Sequence, residues 1–492
     1  MTEITKILVA NRGEIACRIL RSLERMGIPG VAVYHPVDAR SPALGMAAET
    51  VAIDGPTPVA AYLDVQLMIE ACRRTGADAV HPGFGFLAEN AGFARQLSEE
   101  GITFIGPTPE AIELMGNKVA ARSFCIDKGF PLAPSVTEAD ADGDFVGQLA
   151  GIPLPLLIKA AAGGGGKGMH IVRDMESLGQ AVELAKGEAL RSFGDDAVYA
   201  ERYVEQARHI EVQILADHHG NVVHLGEREC SIQRRFQKII EESPAHGLAP
   251  ELRERICATA VAIARTAGYR NAGTVEFLLA PDGEFYFLEM NTRIQVEHPV
   301  TEMVTGLDLV ELQVRIARGE PLPLVQQQIE AKGHSIELRL YAEDPENGFM
   351  PSTGRLLVYR LPDGEGVRVD NGFLEGMEVS SAFDPMLAKL IVHGKDRDEA
   401  LGRAMKALGE TTVLGVTTNV DYLGRILSHP AFAAGHVHTG FIPLHEADLK
   451  PPPLSGNQRD LLLTAAALSS REFTDPAFRV PEPYATIGTW RN

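Results

Sequence analysis

Residues 272–291 read AGTVEFLLAPDGEFYFLEMN, and this stretch predicts two antiparallel strands joined by a tight turn. The Pro-Asp-Gly segment between two strand-like runs is typical of a hairpin. Folding there places Glu276 beside residues 288–289. Because side chains alternate along a strand, Glu289 and Asn291 share a face. Two carboxylates and an amide oxygen therefore converge, and Mg²⁺ prefers such hard oxygen ligands, completed by substrate phosphates and water.

The polar alternation continues beyond this hairpin. Apolar Ile294 and Val296 lie between polar residues at every odd position, Asn291, Arg293, Gln295 and Glu297. If the segment is extended, the polar groups line one surface. Arg293 can then fork onto a carboxylate-shaped anion, and Glu297 can act as a general base if its surroundings tune it. The alternative is that these polar residues form the solvent-exposed face of a half-buried sheet. Adjacent carboxylates without a cation would repel each other, which argues against this alternative.

The first hundred residues alternate apolar runs with helical patterns. Strands are predicted at residues 7–10, 31–34, 77–81 and 102–105, with helices at 14–26, 63–74 and 90–100. This rhythm predicts a parallel sheet with crossover helices. Thr108 and Pro109 predict the N-cap and first turn of a further helix, which Gly116 would end.

The rest of the chain suggests further boundaries. A loop rich in Pro, Ala and Asp at residues 131–144 precedes an apolar run at 154–158. Strand-like alternation follows at residues 208–215, 274–279, 284–290 and 335–341. Residues 451–456 predict a linker, and residues 459–467 show a helical pattern.

A glycine cluster follows the apolar run at 154–158. Residues 159–169 read KAAAGGGGKGM, where backbone N–H groups are open to a phosphate and two lysines add positive charge. Ala161 and Gly168 stand where a Walker A loop needs Gly and Ser or Thr. The GxGxxG pattern of a dinucleotide site is also absent. By itself the cluster fits a phosphate cradle or an ordinary surface loop.

Composition excludes several classes of protein. The chain has 492 residues, and 46 basic against 66 acidic residues give 46 − 66 = −20, which argues against a duplex-binding protein. Five scattered cysteines without a CxxC pair argue against a disulfide framework or zinc site and favour a reducing compartment. No apolar run reaches membrane-spanning length, and an apolar run at residue 7 leaves no room for a signal peptide. A cytoplasmic location is expected.

Five motifs resemble those of biotin carboxylases. They read ANRGEIA at 10–16, HPGFGFLAEN at 81–90, RECSIQRRFQK at 228–238, EMNTRIQVEHP at 289–299 and FDPMLAK at 383–389. They follow the family order over residues 1 to about 445. The resemblance implies an ATP-grasp fold, of mixed α/β and α+β class. It divides the chain into an N-terminal domain (1–132) with a parallel sheet, a mobile lid (133–204), a C-terminal catalytic domain (205–447) and a linker and tail (448–492).

The resemblance also implies roles for individual residues. The expected ATP-binding residues are Lys118, Lys159, Gly163, Gly164, Gly165, Gly166, Gly168, Met169, Glu201, Val204, His209, Gln233, Glu276 and Leu278. Those expected to hold Mg²⁺ or Mn²⁺ are Glu276, Glu289 and Asn291. Those expected at bicarbonate and biotin are Lys238, Arg293, Gln295, Val296, Glu297, Arg339, Gly83 and Phe84. Among the catalytic residues Lys238, Arg293, Glu297 and Arg339, Glu297 would be the base and Arg339 would stabilise the biotin enolate.

Without the resemblance, Arg339, which shares a strand face with Glu337 and Tyr341, would be interpreted as a surface residue. Lys118, His209 and Lys238 would be interpreted as solvated or hydrogen-bonded residues. The chain also departs from the family pattern. Phe84 and Phe383 stand where many relatives carry Tyr, and Phe236 stands where some carry His. Phe84 keeps a stacking face but loses a hydroxyl donor, so these changes affect the details of biotin contact.

The implied reaction is the ATP-dependent carboxylation of carrier-bound biotin by bicarbonate, via carboxyphosphate. It would be the first half-reaction of an acyl-CoA carboxylase or, alternatively, of a pyruvate or other 2-oxoacid carboxylase. The nearest match to a carrier's Met-Lys-Met turn is Met405-Lys406, which lies in a helical pattern. The biotin carrier and the carboxyltransferase are therefore expected on separate chains. A homodimer or larger hetero-oligomer is expected, without nucleic acid or membrane, and the tail is a candidate for partner docking.

Three rival functions remain for comparison. Another ATP-grasp ligase would share the glycine cluster and the carboxylate hairpin but lack the ladder from Arg293 to Glu297 and the HPGFGF motif. A non-catalytic scaffold would have lost lysines or carboxylates at matched positions, and this chain keeps them. A nicotinamide enzyme would need the missing GxGxxG loop.

Overall fold

A computed structural model describes residues 3–138, 141, 144–160, 169–193 and 196–474. The chain divides into two compact units, Met1–Leu449 and Lys450–Asn492. The glycines predicted to cradle phosphate, Gly163, Gly164, Gly165, Gly166 and Gly168, lie outside the described residues, so their role stays a prediction.

The N-terminal part of the first unit contains a five-stranded parallel sheet in the order β3-β2-β1-β4-β5. Its strands are β1 (Ile7–Val9), β2 (Gly30–Tyr34), β3 (Glu49–Ala52), β4 (Ala79–His81) and β5 (Thr103–Phe104). Its helices are α1 (Gly13–Arg25), α2 (Pro42–Met46), α3 (Pro58–Leu63), α4 (Val65–Thr75), α5 (Ala91–Glu99), α6 (Pro109–Gly116) and α7 (Lys118–Lys128). The predicted parallel sheet with crossover helices is confirmed.

Local chemistry explains which of these elements the sequence predicted. The Thr108 hydroxyl accepts the Ala111 N–H at 3.3 Å, so α6 begins at the predicted cap, and it ends at Gly116. Strand β3 was not predicted because only Val51 of its four residues is buried, which leaves no apolar run to detect.

A four-stranded antiparallel sheet follows, in the order β6-β9-β7-β8. It comprises β6 (Ser135–Thr137), β7 (Leu156–Ala160), β8 (His170–Val172) and β9 (Val198–Arg202), with helices α8 (Phe145–Leu149) and α9 (Leu178–Phe193). The predicted loop at 131–144 is partly wrong, because it contains β6. That strand has three half-buried residues, too few for a periodic signal, and forms because it pairs with β9.

The largest sheet has eight antiparallel strands in the order β14-β13-β10-β11-β12-β15-β22-β20. The strands of this region are β10 (Arg208–Ala216), β11 (Val222–Arg234), β12 (Gln237–Ser243), β13 (Asn271–Leu279), β14 (Phe285–Asn291), β15 (His334–Tyr341), β16 (Glu343–Asp344), β17 (Met350–Pro351), β18 (Gly354–Arg355), β19 (Val358–Arg360), β20 (Val367–Asn371), β21 (Glu378–Val379), β22 (Met386–Gly394) and β23 (Thr412–Leu414). Its helices are α10 (Pro250–Thr266), α11 (His298–Thr305), α12 (Leu309–Ala317), α13 (Arg397–Glu410), α14 (Val420–Ser428), α15 (Pro430–Ala433) and α16 (Phe441–Leu444).

The hairpin predicted at residues 272–291 is confirmed as β13 and β14. Glu276 pairs directly with Glu289, and the turn passes through Gly283 at φ +86°, a conformation that glycine adopts without strain. Strands β10 and β15 also match their predicted positions. Strand β11 was not predicted, because its buried residues include charged side chains that hide the apolar pattern of a core strand.

The second unit contains helix α17 (Gly456–Thr474), which covers the helical pattern predicted at 459–467. All five cysteines are buried and free of disulfides. Met405 and Lys406 lie within α13, as predicted from their helical pattern. Among the helices of the described ranges, none combines the length and apolar character needed to cross a membrane.

Candidate active site

The Glu276 carboxylate on β13 lies at the centre of the predicted site. Its Oε1 accepts hydrogen bonds from Lys238 Nζ at 2.9 Å, Asn291 Nδ2 at 2.8 Å and Gln295 Nε2 at 2.7 Å. Its Oε2 lies 2.6 Å from His209 Nε2. Burial alone raises the pKa of Glu276, but the charge of Lys238 and the hydrogen bonds from Lys238 and His209 hold this pKa well below its usual range. Glu276 is therefore an ionised buried carboxylate.

The orientation of His209 follows from its second hydrogen bond. The Gln233 side-chain amide donates to His209 Nδ1 at 2.7 Å, so the ring proton is carried by Nε2 and points at Glu276. The predicted nucleotide residues His209 and Gln233 thus form one chain of hydrogen bonds with the predicted metal ligand. Of the two ordinary interpretations of His209, the solvated one is wrong because its side chain is buried, while the hydrogen-bonded one holds.

The Lys238 ammonium on β12 joins three carboxylates. Its Nζ lies 2.5 Å from Glu211, 2.9 Å from Glu276 and 2.8 Å from Glu297. Burial by itself lowers the pKa of Lys238, but the three carboxylates raise it well above the ordinary value. Lys238 is therefore a permanent cation, and Arg228 on Glu211 and Arg339 on Glu297 add positive charge to the same cluster.

Glu297 lies in the turn that leads into α11. Its Oε1 contacts Lys238, and its Oε2 accepts a hydrogen bond from the Arg339 guanidinium at 3.0 Å. The side chain is only 1% exposed. Burial raises the pKa of Glu297, yet Lys238, Arg339 and Arg228 together hold it well below its usual range. The predicted base is therefore ionised. Because the three cations stabilise its ionised form, Glu297 is a weak base in this arrangement.

Arg339 on β15 is a buried residue rather than a surface one. Its Nε donates to Glu241 Oε1 at 2.7 Å, while its terminal nitrogen reaches Glu297. The surface interpretation of Arg339 was wrong, because β15 lies inside the eight-stranded sheet and every one of its residues is buried. The two carboxylates raise the pKa of Arg339 well above its ordinary value, although burial alone lowers it.

The expectation that residues 291–297 form one extended segment is wrong. Strand β14 ends at Asn291, and residues 292–297 form bends and a turn before α11. The polar side chains still converge. Arg293 donates to Asn291 Oδ1 at 3.0 Å and to Gln295 Oε1 at 2.8 Å, and both amides donate to Glu276. Side-chain hydrogen bonds, rather than strand alternation, bring them to one surface.

The predicted ATP-binding lysines are paired with acids. Lys118 Nζ lies 3.3 Å from Glu289 Oε2, and both side chains are about one third exposed. Lys159 lies 2.5 Å from Glu201, which also receives Arg122 at 2.8 Å. Val204 and Leu278 pack together with Ala207, Ala280 and Tyr286 in a small apolar cluster. The half-buried Met169 directly precedes β8.

A cleft of about 680 Å³ opens beside the predicted metal ligands. Its lining includes Glu89, Asn117, Lys118, Glu289 and Asn291. Glu289 and Asn291 thus face open space, while Glu276 lies buried across the strand pair from Glu289. Glu289 at the cleft offers the oxygen ligand that a hard divalent cation prefers, with room for phosphates and water, whereas the oxygens of Glu276 and Asn291 accept hydrogen bonds from the protein.

The predicted biotin contacts lie on the loop after β4. The Asn11 amide donates to the carbonyls of Pro82 and Phe84, both at 2.7 Å. Gly83 has φ +64°, and a Cβ there would lie 2.9 Å from Asn11 Nδ2, so this loop requires glycine. Of the other two departures from the family pattern, Phe236 is exposed at the β11–β12 turn and Phe383 lies 3.8 Å from the Arg12 guanidinium.

Several charged residues of the site were not predicted. Glu89 accepts Arg293 Nε at 3.0 Å and the Thr292 N–H at 3.0 Å. Arg228 is fully buried and pairs with Glu211. Glu89 and Arg228 lie inside the motifs at 81–90 and 228–238, so the resemblance of these motifs was the signal that pointed to them. Glu211 and Glu241 had a weaker signal, since each only directly follows an apolar residue, Ile210 in β10 and Ile240 in β12.

Comparison with known proteins agrees with this geometry. The family profile "Biotin carboxylase, N-terminal domain" matches residues 3–112, and "Biotin carboxylase C-terminal domain" matches residues 337–443. Between them, "Carbamoyl-phosphate synthase L chain, ATP binding domain" matches residues 117–325.

Two curated proteins illustrate the similarity. The mitochondrial methylcrotonoyl-CoA carboxylase subunit alpha of Dictyostelium discoideum is 46% identical over 99% of this chain and 70% of its own length. The biotin carboxylase of Nostoc sp. is 47% identical over 89% of this chain and 98% of its own length. The chain spans 61–70% of the length of five methylcrotonoyl-CoA carboxylase alpha subunits that it resembles.

A solved structure carries the same fold. It is the biotin carboxylase domain dimer of Hydrogenobacter thermophilus 2-oxoglutarate carboxylase, in complex with MgADP, ADP and bicarbonate. It aligns with a TM-score of 0.88 and 42% identity, covering 92% of this chain and all of that one. The expected ATP-grasp fold is confirmed, and the chain belongs to the biotin carboxylase family of ATP-dependent ligases.

Proposed function

We propose that this chain carboxylates biotin with ATP and bicarbonate through Lys238, Arg293, Glu297 and Arg339. The observation that carries these roles is the contact of one ionised, buried carboxylate, Glu297, with two buried cations, Lys238 and Arg339. An anion that enters here meets positive charge and a base together. Arg293 adds a guanidinium held by Glu89, Asn291 and Gln295.

Bicarbonate would change the basicity of Glu297. In the free protein, Lys238 and Arg339 both stabilise its ionised form. When bicarbonate binds against the same cations, part of that stabilisation passes to the new anion, so the pKa of Glu297 rises toward that of a useful base. Glu297 then removes the bicarbonate proton. The resulting oxygen attacks the γ-phosphorus of ATP, the bond to the β-phosphate breaks, and ADP leaves.

The nucleotide would lie between the lid and the carboxylate hairpin. Glu276, Glu289 and Asn291 would hold Mg²⁺ or Mn²⁺, which supplies charge neutralisation at the phosphates when bound. Lys118 and Lys159 would exchange their present carboxylate partners for phosphate oxygens. Met169, Glu201, Val204, His209, Gln233 and Leu278 complete the proposed ATP site. The glycine cluster of the lid would exclude water and protect carboxyphosphate from hydrolysis.

The final transfer would use Arg339. Carboxyphosphate breaks into CO₂ and phosphate, and the phosphate removes the proton of the biotin ureido nitrogen. Arg339 stabilises the resulting enolate, whose nitrogen attacks CO₂ to form carboxybiotin. Gly83, Phe84, Gln295 and the backbone of Val296 would complete the pocket. The domain limits 1–132, 133–204, 205–447 and 448–492 belong to this proposal.

The partners belong to the proposal as well. A biotin carrier and a carboxyltransferase are the proposed partners, and the helical position of Met405 and Lys406 does not suit a carrier turn. A homodimer is proposed by likeness to the dimeric Hydrogenobacter domain. Similarity to methylcrotonoyl-CoA carboxylase favours an acyl-CoA acceptor, and a 2-oxoacid acceptor is the alternative. A cytoplasmic location stays a prediction, since several relatives are named as mitochondrial.

Phosphate release by the purified chain tests this function. ATP, Mg²⁺ and bicarbonate are supplied with and without a high concentration of free biotin. We expect hydrolysis that requires bicarbonate and rises with biotin. A rate that ignores bicarbonate would contradict the proposal. If free biotin has no effect, a biotinylated carrier protein replaces it, and continued indifference to both would also contradict the proposal.

A further inference from the structure

Lys389 on β22 is a buried cation for which the proposed mechanism has no use. Its side chain is 0% exposed. Its Nζ donates to the Val296 carbonyl oxygen at 2.8 Å and lies 3.1 Å from Glu14 Oε1 on α1. A buried ammonium is expensive in free energy, and removing one partner of such a pair is strongly destabilising. The contact with Val296 therefore calls for an explanation beyond packing.

The register of the sheet gives Lys389 a defined place. It lies directly opposite Arg339 of β15 on one side and Asp370 of β20 on the other. Residues directly opposite each other in an antiparallel sheet project from the same face. Lys389 thus stands beside the arginine that contacts Glu297, while Asp370, 4.0 Å from its Nζ, adds a second compensating carboxylate. Glu14 is thus the nearer carboxylate partner of Lys389, and Asp370 is shared with Arg368 at 2.7 Å.

The Val296 carbonyl belongs to the peptide that leads into Glu297. Gln295, Val296 and Glu297 form one turn, closed by the His298 N–H and ring Nδ1 on the Gln295 carbonyl at 3.3 and 2.8 Å. The turn carries two side chains of the proposed site, since Gln295 reaches Glu276 and Glu297 reaches Lys238. Lys389 therefore contacts the backbone of this turn, while the side chains of Gln295 and Glu297 extend from the turn to Glu276 and Lys238.

Lys389 also connects this turn to the N-terminal part of the fold. Glu14 lies in the first turn of α1, and the Phe84 ring on the proposed biotin loop lies 5.9 Å from Lys389 Nζ, within the range of a cation–π contact. The Lys389 ammonium therefore lies beside three segments: the turn at residues 295–297, helix α1 and the loop that carries Phe84.

We propose that Lys389 is a positioning residue, which fixes the Val296 carbonyl and so the orientation of Glu297 and Gln295 toward bicarbonate. This inference rests on the proposed biotin carboxylase reaction. A shift of about 1 Å in a reacting group can cost about a hundredfold in rate, so loss of this anchor should weaken bicarbonate use far more than nucleotide use.

The test compares steady-state kinetics of the full chain and of three variants. Lys389→Met removes the ammonium while keeping a long apolar side chain. Lys389→Met with Glu14→Gln also removes the charge of the nearer carboxylate, while Asp370 keeps its ion pair with Arg368 at 2.7 Å. Lys395→Met makes the same chemical change at an exposed lysine six residues further on and is the matched control.

We expect both Lys389 variants to raise KM for bicarbonate at least about tenfold and to lower kcat, with KM for ATP within about twofold of the parent. Lys395→Met should match the parent. A purely structural role would reduce the amount of active protein, which lowers kcat alone and leaves both KM values unchanged, and that result overturns the positioning role. Melting curves and circular dichroism report folding. If neither Lys389 variant folds, the lysine serves folding rather than positioning, and the inference is wrong.

The parent chain separates this inference from the proposed function. If the parent shows bicarbonate-dependent phosphate release and the Lys389 variants match it, only the positioning role fails. If the parent shows no bicarbonate dependence, the proposed function fails and the positioning role fails with it.

Discussion

Glu211 and Glu276 lie directly opposite each other on strands β10 and β13, and the ammonium of Lys238 contacts both carboxylates. Two cross-strand carboxylates would repel each other without a cation. Lys238 also contacts Glu297, so one ammonium both compensates the negative charge of the two cross-strand carboxylates and pairs with the proposed base. Charge compensation and chemistry at this site therefore depend on the same side chains.

Glu297→Gln tests the assignment of the base. The amide keeps the size of the side chain but cannot accept a proton, so bicarbonate-dependent phosphate release should fall about a hundredfold or more. Nucleotide affinity, measured by calorimetry with MgADP, should change little. Glu99→Gln on the exposed surface of α5 is the control and should behave as the parent. Near-normal turnover of the Glu297 variant would remove Glu297 from the base role.

Arg228→Met tests the buried ion pair behind the site. Arg228 is fully buried, pairs with Glu211, and donates to Gln213, Thr301 and Thr274 at 2.8, 2.9 and 3.1 Å. Its loss leaves Glu211 less compensated, and the free energy of unfolding should fall by about 3–5 kcal/mol in urea titrations. Arg73→Met, which breaks an exposed pair with Glu100, should change stability little. Equal effects of the two substitutions would contradict this account.

Glu289→Gln tests the predicted metal ligands. The variant keeps one oxygen ligand but loses its charge, and Lys118 loses its carboxylate partner. The Mg²⁺ concentration needed for half-maximal ATP hydrolysis should rise at least about tenfold. Removal of divalent cations by a chelator should abolish activity in the parent, and added Mg²⁺ should restore it. An unchanged Mg²⁺ dependence in the variant would exclude Glu289 as a ligand.

Glu242 predicts a dependence of stability on acid pH. Burial raises its pKa, but hydrogen bonds from His334 at 2.8 Å and Arg397 at 2.6 Å lower the pKa to about 2. A carboxyl group whose pKa is lower in the folded state stabilises the fold above its unfolded value of about 4.5, and this stabilisation disappears as pH falls toward 2. Melting temperatures measured between pH 6 and pH 3 should therefore decline less steeply for Glu242→Gln than for the parent. Parallel declines would contradict this contribution.

Some of the fold and site follows from the sequence alone. The hairpin at 272–291 is encoded locally, because Pro-Asp-Gly sets the turn between two strand-like runs, and a register shift between Glu276 and Phe277 brings Glu276 opposite Glu289. The N-terminal parallel sheet is equally predictable, since its central strands are apolar runs separated by helices of ordinary length. The motifs that contain Lys238 and Glu297 identified the chemistry before any contact was known.

Other features depended on tertiary structure. The sequence around Arg339 is typical of a strand with one exposed face. Arg339 is buried because β15 lies between β12 and β22 in the sheet. Residues 292–297 alternate as a strand would, yet they turn into α11 because their side chains bond to Glu276 and to one another.

The contact between Lys389 and Val296 joins positions 93 residues apart, which no local pattern encodes. Periodicity and turn chemistry are short-range properties of the chain, so the sequence determined the hairpin, the parallel sheet and the family of the protein. The pairing of buried charges across strands is long-range, because it requires the whole sheet to assemble before a cation and its carboxylates meet. The tertiary structure therefore decided which charged residues became the interior of the site.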